Sequence, residues 1–502
     1  MGARAARAGR EAREREWHRL WAERKRDHFH DHCGVFGVHG HAEAAHITYL
    51  GLYALQHRGQ ESTGIVACQG REHFAHRAMG LVADTFNAKT LAKLPGRHAI
   101  GHVRYSTAGG SQLRNAQPFC AATDGGPVAL AHNGNLVNAQ IIRRELEGRG
   151  ALFSTTADSE VIVHLLARSR EATPEERLID ALSRVKGAFS LLMLTDDALV
   201  AARDPYGFRP LSLARLDGAW VVASETCALD LIGASFERDI EPGEVVVIRR
   251  GRARTLRPFP RPTPMRFCIF EHIYFARPDS NLERHNVYSF RKELGRVLAR
   301  EHPVDADMVV PVLDSGTAAA LGFAEESGIP FDTALIRNHY VRRTFIEPAQ
   351  SIRHFGVKVK HNAIAGILRG KRVVLVEDSI VRGTTLLKIV SMFRQAGARE
   401  VHVRVSSPPT IGPCYYGIDT PTREELIAHQ KSPAEIREAI GADSLGYLSL
   451  TGLRTTAAQL KHGFCDACFS DEYPIPVDDE QNVPQLSLFR EIGEDGSGRG
   501  HD

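Results

Sequence analysis

The sequence predicts two α/β domains in series, a layered α/β sandwich and then a domain built on a parallel sheet. From Cys33 to about Ile248, short apolar runs at 128–131, 190–194 and 220–223 alternate with Gly and Asn turns and read as buried strands. Residues 159–169 place Val161, Ile162, Leu165 and Leu166 at helical spacing, with Thr156, Asp158 or Ser159 as the cap. Strands layered with helices make a sandwich. From about Arg266 the pattern changes. Residues 308–312 and 372–376 are continuous apolar strands, each running into a Gly-bearing polar loop and a helix, as a parallel sheet with crossovers requires. The stretch 249–264, rich in Arg and Pro, reads as the linker. The expected division is a leader at 1–32, domains at 33–255 and 265–478, and a disordered acidic tail at 479–502.

Composition sets bounds on function. A chain of 502 residues has room for two or three full cores. A net charge of +3 gives no field for nucleic acid, and no window reaches the roughly 20 apolar residues of a membrane span. Eight scattered cysteines are too few for a disulfide scaffold, so reduced thiols and a cytoplasmic location are expected. The leader alternates Arg and Glu and lacks an apolar core, so it is no secretory signal; it reads as a charged helix or a disordered arm. His28, His30 and His32 read as solvated polar residues.

Cys33 opens the run Cys33-Gly34-Val35-Phe36-Gly37 directly after this leader. Cleavage after His32 would make it the first residue, with its own α-amino group beside its sulfur, so one residue would supply nucleophile and base. Downstream stand Arg58-Gly59, Arg104, and His132-Asn133-Gly134. In the second half, the strand 373–376 delivers Glu377 and Asp378 at its C-terminal end, the edge where open parallel sheets bind ligands. These acids suit ribose hydroxyls or a Mg²⁺ ion. Ser379 follows, and then Arg382, Gly383, Thr384 and Thr385 offer backbone N–H groups, hydroxyls and a helix N-terminus to a phosphate. The loop 338–346, with Tyr340 and Arg343, mixes basic, aromatic and hydroxyl groups as a lid over a charged substrate would.

Cys465 and Cys468 form a C-x-x-C pair, with Cys268 and Cys414 isolated upstream. Four thiolates would hold a [4Fe–4S] cluster or a structural Zn²⁺, and spacing does not choose between them. Replacing Cys468 with Ser is expected to destabilise the protein and leave the Cys33 site untouched. Cys68, Cys120 and Cys227 read as buried small hydrophobes.

The run 373–385 resembles the signature of the type I phosphoribosyltransferases, which bind phosphoribosyl pyrophosphate (PRPP). The resemblance implies a pyrophosphate loop at Asp314, Ser315 and Gly316, with Ser315 adding an oxygen ligand to Mg²⁺ at Glu377 and Asp378. The first half is similar to the class II glutamine amidotransferases, which have the N-terminal-nucleophile hydrolase αββα sandwich. From Cys33 to about Tyr473 the whole resembles the amidophosphoribosyltransferase family, in its iron–sulfur, propeptide-containing form. That implies one Mg²⁺ and one [4Fe–4S] cluster per subunit, the latter on Cys268, Cys414, Cys465 and Cys468.

It also implies roles for the glutamine-site residues. Cys33 forms a glutamyl thioester, and Asn133 and Gly134 stabilise the oxyanion. Arg104 takes the glutamine α-carboxylate, Asp158 takes the α-ammonium, and Arg58 and Gly59 shape the pocket wall. The implied reaction turns glutamine, PRPP and water into 5-phosphoribosylamine, glutamate and pyrophosphate, the first committed step of purine biosynthesis. Ammonia would pass between the sites by an internal channel. Purine nucleotide inhibitors and a homotetramer are implied as well. The alternatives are a class II amidotransferase with another acceptor, or a PRPP-binding regulator without catalysis. The first would need sugar-isomerase domains or an ATP-pyrophosphatase loop. The second would reveal itself by salt-dependent nucleic-acid binding.

Overall fold

A computed structural model describes residues 33–105, 112–260, 265–337, 361–420, 422–460 and 462–476. The expected leader, the lid with Tyr340 and Arg343, and the tail lie outside the described residues.

Thirteen strands build the first half: β1 (Gly34–His39), β2 (Ser62–Gln69), β3 (Glu72–Met79), β4 (His98–Arg104), β5 (Phe119–Thr123), β6 (Gly126–Leu136), β7 (Gly187–Leu194), β8 (Ala198–Arg203), β9 (Ser212–Leu216), β10 (Ala219–Ala223), β11 (Ser235–Asp239), β12 (Val245–Arg249) and β13 (Arg252–Leu256). They form two sheets, in the orders β11-β9-β10-β1-β4-β2-β3 and β13-β12-β8-β7-β6-β5. The sheets stack face to face. Val35, Val66, Ile100 and Val222 of one meet Leu192, Leu199, Ala201 and Val246 of the other. The alternate residues of β1, Phe36 and Val38, point outward and pack in the layer with α1 (Ala44–Ala54). Gly51 lets that helix come close, since a Cβ there would stand 2.4 Å from the Phe36 ring. On the other side α2 (Ala139–Glu147), α3 (Glu160–Arg168) and α4 (Pro174–Arg184) cover β6, β7 and β8. The central strands β1, β7 and β8 are therefore buried on both faces. That is why so many read as continuous apolar runs rather than alternating ones.

Two expectations need correction here. The Arg-rich stretch expected to begin the linker is partly sheet: 252–256 is β13, hairpin-paired to β12. Its charges mark an exposed edge strand, where Lys and Arg discourage further pairing. Cys120 is exposed, because it lies on the other edge strand, β5; Cys68 and Cys227 are buried as expected.

The second half holds β14 (Phe267–Cys268), β15 (Met308–Pro311), β16 (Arg372–Glu377), β17 (Glu400–Val405), β18 (Ser444–Tyr447) and β19 (Phe464–Cys465). Strands β15-β16-β17-β18 form a parallel sheet in that order, and β14 pairs in parallel with β19. One face of the main sheet packs on α5 (Val287–Glu301) and α6 (Thr317–Ser327), the other on α7 (Thr384–Gln395). No helix among the described residues is long and apolar enough to cross a membrane.

The pairing of α5 with α6 depends on two glycines. A Cβ at Gly295 would stand 1.9 Å from the Ala319 carbonyl oxygen, and one at Gly322 1.8 Å from that of Lys292. Gly295→Ala should therefore cost about 1–3 kcal/mol of stability, read as a lowered unfolding midpoint. A variant as stable as the parent would show that the helices part freely.

Candidate functional site

Cys33 lies immediately before β1, buried at the edge between the two sheets. Its Sγ contacts the Tyr105 carbonyl oxygen at 3.7 Å. Burial pushes the thiol above its ordinary range. Arg104 and the Tyr105 contact pull it down, while Asp158 pushes it up. Arg104 and Asp158 thus flank the sulfur closely enough to act on its charge. Asp158 precedes α3; its Oδ2 accepts from the Leu136 N–H at 2.9 Å and its Oδ1 from the Ser159 N–H at 2.8 Å. Ser159, expected among the possible caps, makes no side-chain cap; its hydroxyl lies 2.7 Å from His132 Nδ1 instead.

Asn133 and Gly134 sit on β6, paired with Ser190 and Phe189 of β7. Asn133 is fully buried, yet neither its side-chain nitrogen nor its oxygen has a hydrogen-bond partner. Leaving a buried amide unmet costs about 1–3 kcal/mol per group, a cost that a bound ligand would remove. Gly134 has φ +150°, and a Cβ there would lie 2.0 Å from the Ala188 carbonyl oxygen, so no side chain fits. Gly59 is excluded from substitution in the same way, packed on the Val103–Arg104 backbone with a Cβ contact of 2.5 Å.

Arg58 does more than line a wall. Its Nε donates to the Cys33 carbonyl at 3.1 Å. Its Nη1 bonds Glu225 Oε1 and, at 3.0 Å, Glu271 Oε2; its Nη2 reaches Glu271 Oε1 at 2.6 Å. Arg209 shares Glu271 Oε1 at 2.9 Å and donates to the Gly417 carbonyl at 2.5 Å. Glu225, Glu271 and Arg209 went unnoticed in the sequence. A signal existed for one of them: Glu271 lies in the otherwise apolar run 267–275, broken besides only by His272, and a charge there needs a partner.

The second site forms at the C-terminal edge of the parallel sheet, where β15 and β16 are neighbours. Glu377 and Asp378 are both buried. Glu377 Oε1 accepts the Asp378 N–H at 3.0 Å, and the Ser379 hydroxyl donates to Asp378 Oδ1. Gly316 presses on this edge, for a Cβ there would stand 2.5 Å from the Val376 carbonyl oxygen. The loop 313–316 is thereby held beside the two acids. Asp314 is exposed and ion-paired with Arg337. Gly383, at φ +79°, turns the chain into α7, leaving Thr384 exposed at its start with Thr385 next. Arg382 pairs with Glu425 at 2.7 Å.

The four cysteines also converge. Cys268 and Cys465 are directly paired residues of β14 and β19. The Ile411 and Gly412 N–H groups bond the Cys468 carbonyl, and the Tyr416 N–H donates to Cys414 Sγ at 3.4 Å. Burial pushes the Cys268 thiol up to about 12 and raises Cys465 and Cys468 well above the ordinary thiol range, with neighbouring cysteines adding to each. Among the described residues no three His, Cys, Asp or Glu are set for a single metal ion. The expectation that this region leaves the glutamine chemistry untouched fails on geometry. Asn135 Nδ2 donates to the Tyr415 carbonyl at 2.9 Å, and a Cβ on Gly417 would lie 3.0 Å from Gly134.

Alkylation of Cys33 by iodoacetamide in the chain that retains residues 1–32, followed by mass spectrometry of its peptide, should keep rising past pH about 8.5. A plateau at or below that pH would show a thiol not governed by burial.

Residues 102–231 match a family model described as a glutamine amidotransferase domain, and 296–407 one described as a phosphoribosyl transferase domain. The amidophosphoribosyltransferase of Rhizobium etli is 52% identical over 90% of this chain and 94% of its own. That of Bacillus subtilis is 48% identical over 91% of this chain and 97% of its own. A solved structure described as the allosteric regulatory enzyme of purine biosynthesis superposes with a TM-score of 0.87 at 48% identity, covering 91% of this chain and all of its own. The B. subtilis glutamine PRPP amidotransferase, complexed with ADP and GMP, gives 0.85 at 48% identity over 89% of this chain and 98% of its own. With both halves matched in order and relatives aligned along nearly its whole length, the chain belongs to the amidophosphoribosyltransferase family.

Proposed function

We propose that this chain carries out the first step of purine biosynthesis, moving the amide nitrogen of glutamine to C1 of PRPP to give 5-phosphoribosylamine, glutamate and pyrophosphate. The observation that carries the reading is the buried Asn133 amide, unpartnered among the described residues, together with a thiol acted on by Arg104, Arg209 and Asp158. A free amino acid is a zwitterion. Arg104 is assigned its α-carboxylate and Asp158 its α-ammonium. Cys33 Sγ attacks the side-chain amide carbon, and the Asn133 amide and Gly134 N–H take the oxyanion. The thiol is held protonated by burial, so a base is required. The α-amine of residue 33, freed by cleavage after His32, supplies it. This places the chain in the propeptide-containing form, with domains at 33–255 and 265–478.

At the second site the acids Glu377 and Asp378, with Ser315, offer the oxygen ligands that Mg²⁺ prefers. When bound, the ion would neutralise pyrophosphate charge. Asp314, Ser315 and Gly316 are assigned to the pyrophosphate, and Ser379, Arg382, Gly383, Thr384 and Thr385 to the 5-phosphate side, with Tyr340 and Arg343 kept as further PRPP-binding candidates. Ammonia passes internally, since release to water would waste it. The donor set Cys268, Cys414, Cys465 and Cys468 fits a [4Fe–4S] cluster. The direct pairing of Cys268 with Cys465, and the charge coupling of Cys468 to the other three, bring the donors together. The cluster would tie β14 and β19 to the 411–417 loop. Regulation by purine nucleotides is proposed from the solved relative complexed with ADP and GMP, and a homotetramer from the family resemblance; all eight cysteines being free supports a cytoplasmic location.

Anaerobically prepared protein given glutamine and Mg²⁺ should release glutamate slowly, and far faster when PRPP is added. Release indifferent to PRPP would mean a wrong acceptor or uncoupled halves. Asn133→Ala should lower the glutamine-dependent kcat by about 10²–10³ and spare synthesis from free ammonia. Equal loss of both rates would remove Asn133 from the oxyanion role.

A further inference from the structure

The groups around Arg58 link the two halves of the chain reciprocally. Glu271 opens a π-helical turn, Glu271–Phe275, of the second domain, yet two of its partners, Arg58 and Arg209, come from the first. Glu225, of the first domain, accepts from the Ser280 hydroxyl at 2.7 Å and the Arg277 N–H at 3.0 Å, both of the second, and faces His57 Nε2 at 2.7 Å. Arg58, Arg209, Glu225 and Glu271 are each at most 1% exposed. Their formal charges cancel. Two lines of contact leave Glu271. One runs through Arg58 to the Cys33 carbonyl, on the residue that carries the sulfur. The other runs through Arg209 to the Gly417 carbonyl, on the turn that packs against Gly134.

We propose that Glu271 is a positioning residue for the glutamine half of the reaction, supplied by the other half. It fixes Arg58, hence the Cys33 main chain, and it fixes Arg209, hence the Gly417 turn behind Gly134. The nucleophile and an oxyanion donor are thereby set relative to one another by a single carboxylate that touches neither. This rests on the reading of Cys33 as the nucleophile. Gln in place of Glu271 keeps the shape and one acceptor but loses the charge, so Arg58 and Arg209 compete for one weaker oxygen. Misplacement of the nucleophile by a fraction of an ångström lowers the chemical step more than substrate binding.

The test uses the anaerobic holoenzyme carrying Glu271→Gln, with Cys33→Ala as control. Glu271→Gln should lower the glutamine-dependent kcat about 10- to 100-fold. KM for glutamine and synthesis from free ammonia should each stay within about twofold of the parent. A parallel fall of both syntheses would reduce Glu271 to a structural role, and an unchanged kcat would remove its role altogether; either overturns the proposal. Because one unbalanced buried charge can prevent folding, the charge-balanced pair Arg209→Met with Glu271→Gln is made as well. It should fold and show the same selective loss. Failure of this pair to fold would make Glu271 a folding determinant and also overturn the positioning role. Glutamine hydrolysis surviving in Cys33→Ala would instead sink the nucleophile assignment, whatever the Glu271 variants do.

Discussion

Four buried charges, Arg58, Glu225, Glu271 and Arg209, constrain the rest of this molecule. Two charges out of water are tolerated only when their partners are in place and their remaining hydrogen bonds are met. Here no single domain holds the set. Glu271 needs arginines of the sandwich, and Glu225 needs Ser280 and the Arg277 N–H of the second half. Undocking the halves would strand Glu271 and Arg209 and strip Arg58 and Glu225 of part of their partners, so the interface is held by a penalty for separation as much as by attraction. The π-helical turn that carries Glu271 fits this role. One extra residue in a turn re-aims its side chains, and such turns occur often at functional positions.

The same constraint accompanies the close approach of the cysteine region to β6. The segment 411–417 is tied to Cys468 at one end, carries Cys414, and lies against Asn135 and Gly134 at the other. Phe208 of the sandwich stacks on Tyr416 of this segment at 4.4 Å between ring centres. A shift of the cysteine region is therefore transmitted to the oxyanion strand by hard contacts between backbones. Glycine at 134 and 417 leaves no compressible side chain between them. On the far side, Gly316 brings the loop 313–316 against the end of β16 by the same device. Close backbone approach at glycines, more than side-chain packing, sets the spacing of these sites.

What the sequence disclosed follows the range of the forces involved. Strands buried on both faces announce themselves as apolar runs, and a glycine before a helix start announces the phosphate loop, because both signals are local. Strand β13 was hidden, since an edge strand with an exposed, Arg-rich face looks like a linker. Cys120 misled for the same reason, its strand being the opposite edge. The ion network was the least legible part. Arg58 and Glu271 are separated by 213 positions, and no spacing rule reaches that far. Arg58 itself was visible, but the direction of its guanidinium was not.

The electrostatics of Cys33 then decides what the site lacks. Burial raises the thiol, Arg104 lowers it and Asp158 raises it, so the two flanking charges oppose each other and desolvation prevails. A zwitterionic substrate pairing with both would cancel both fields together and leave the balance nearly where it was. Binding glutamine therefore does not by itself make a thiolate. Burial lowers His102 to about 3 and lowers His132 as well, which disfavours either as the base. The base must come from a group that accepts a proton near neutral pH and lies within reach of the sulfur. An α-amine on residue 33 meets both requirements, so its release from the preceding chain would switch on a site that the fold has otherwise already assembled.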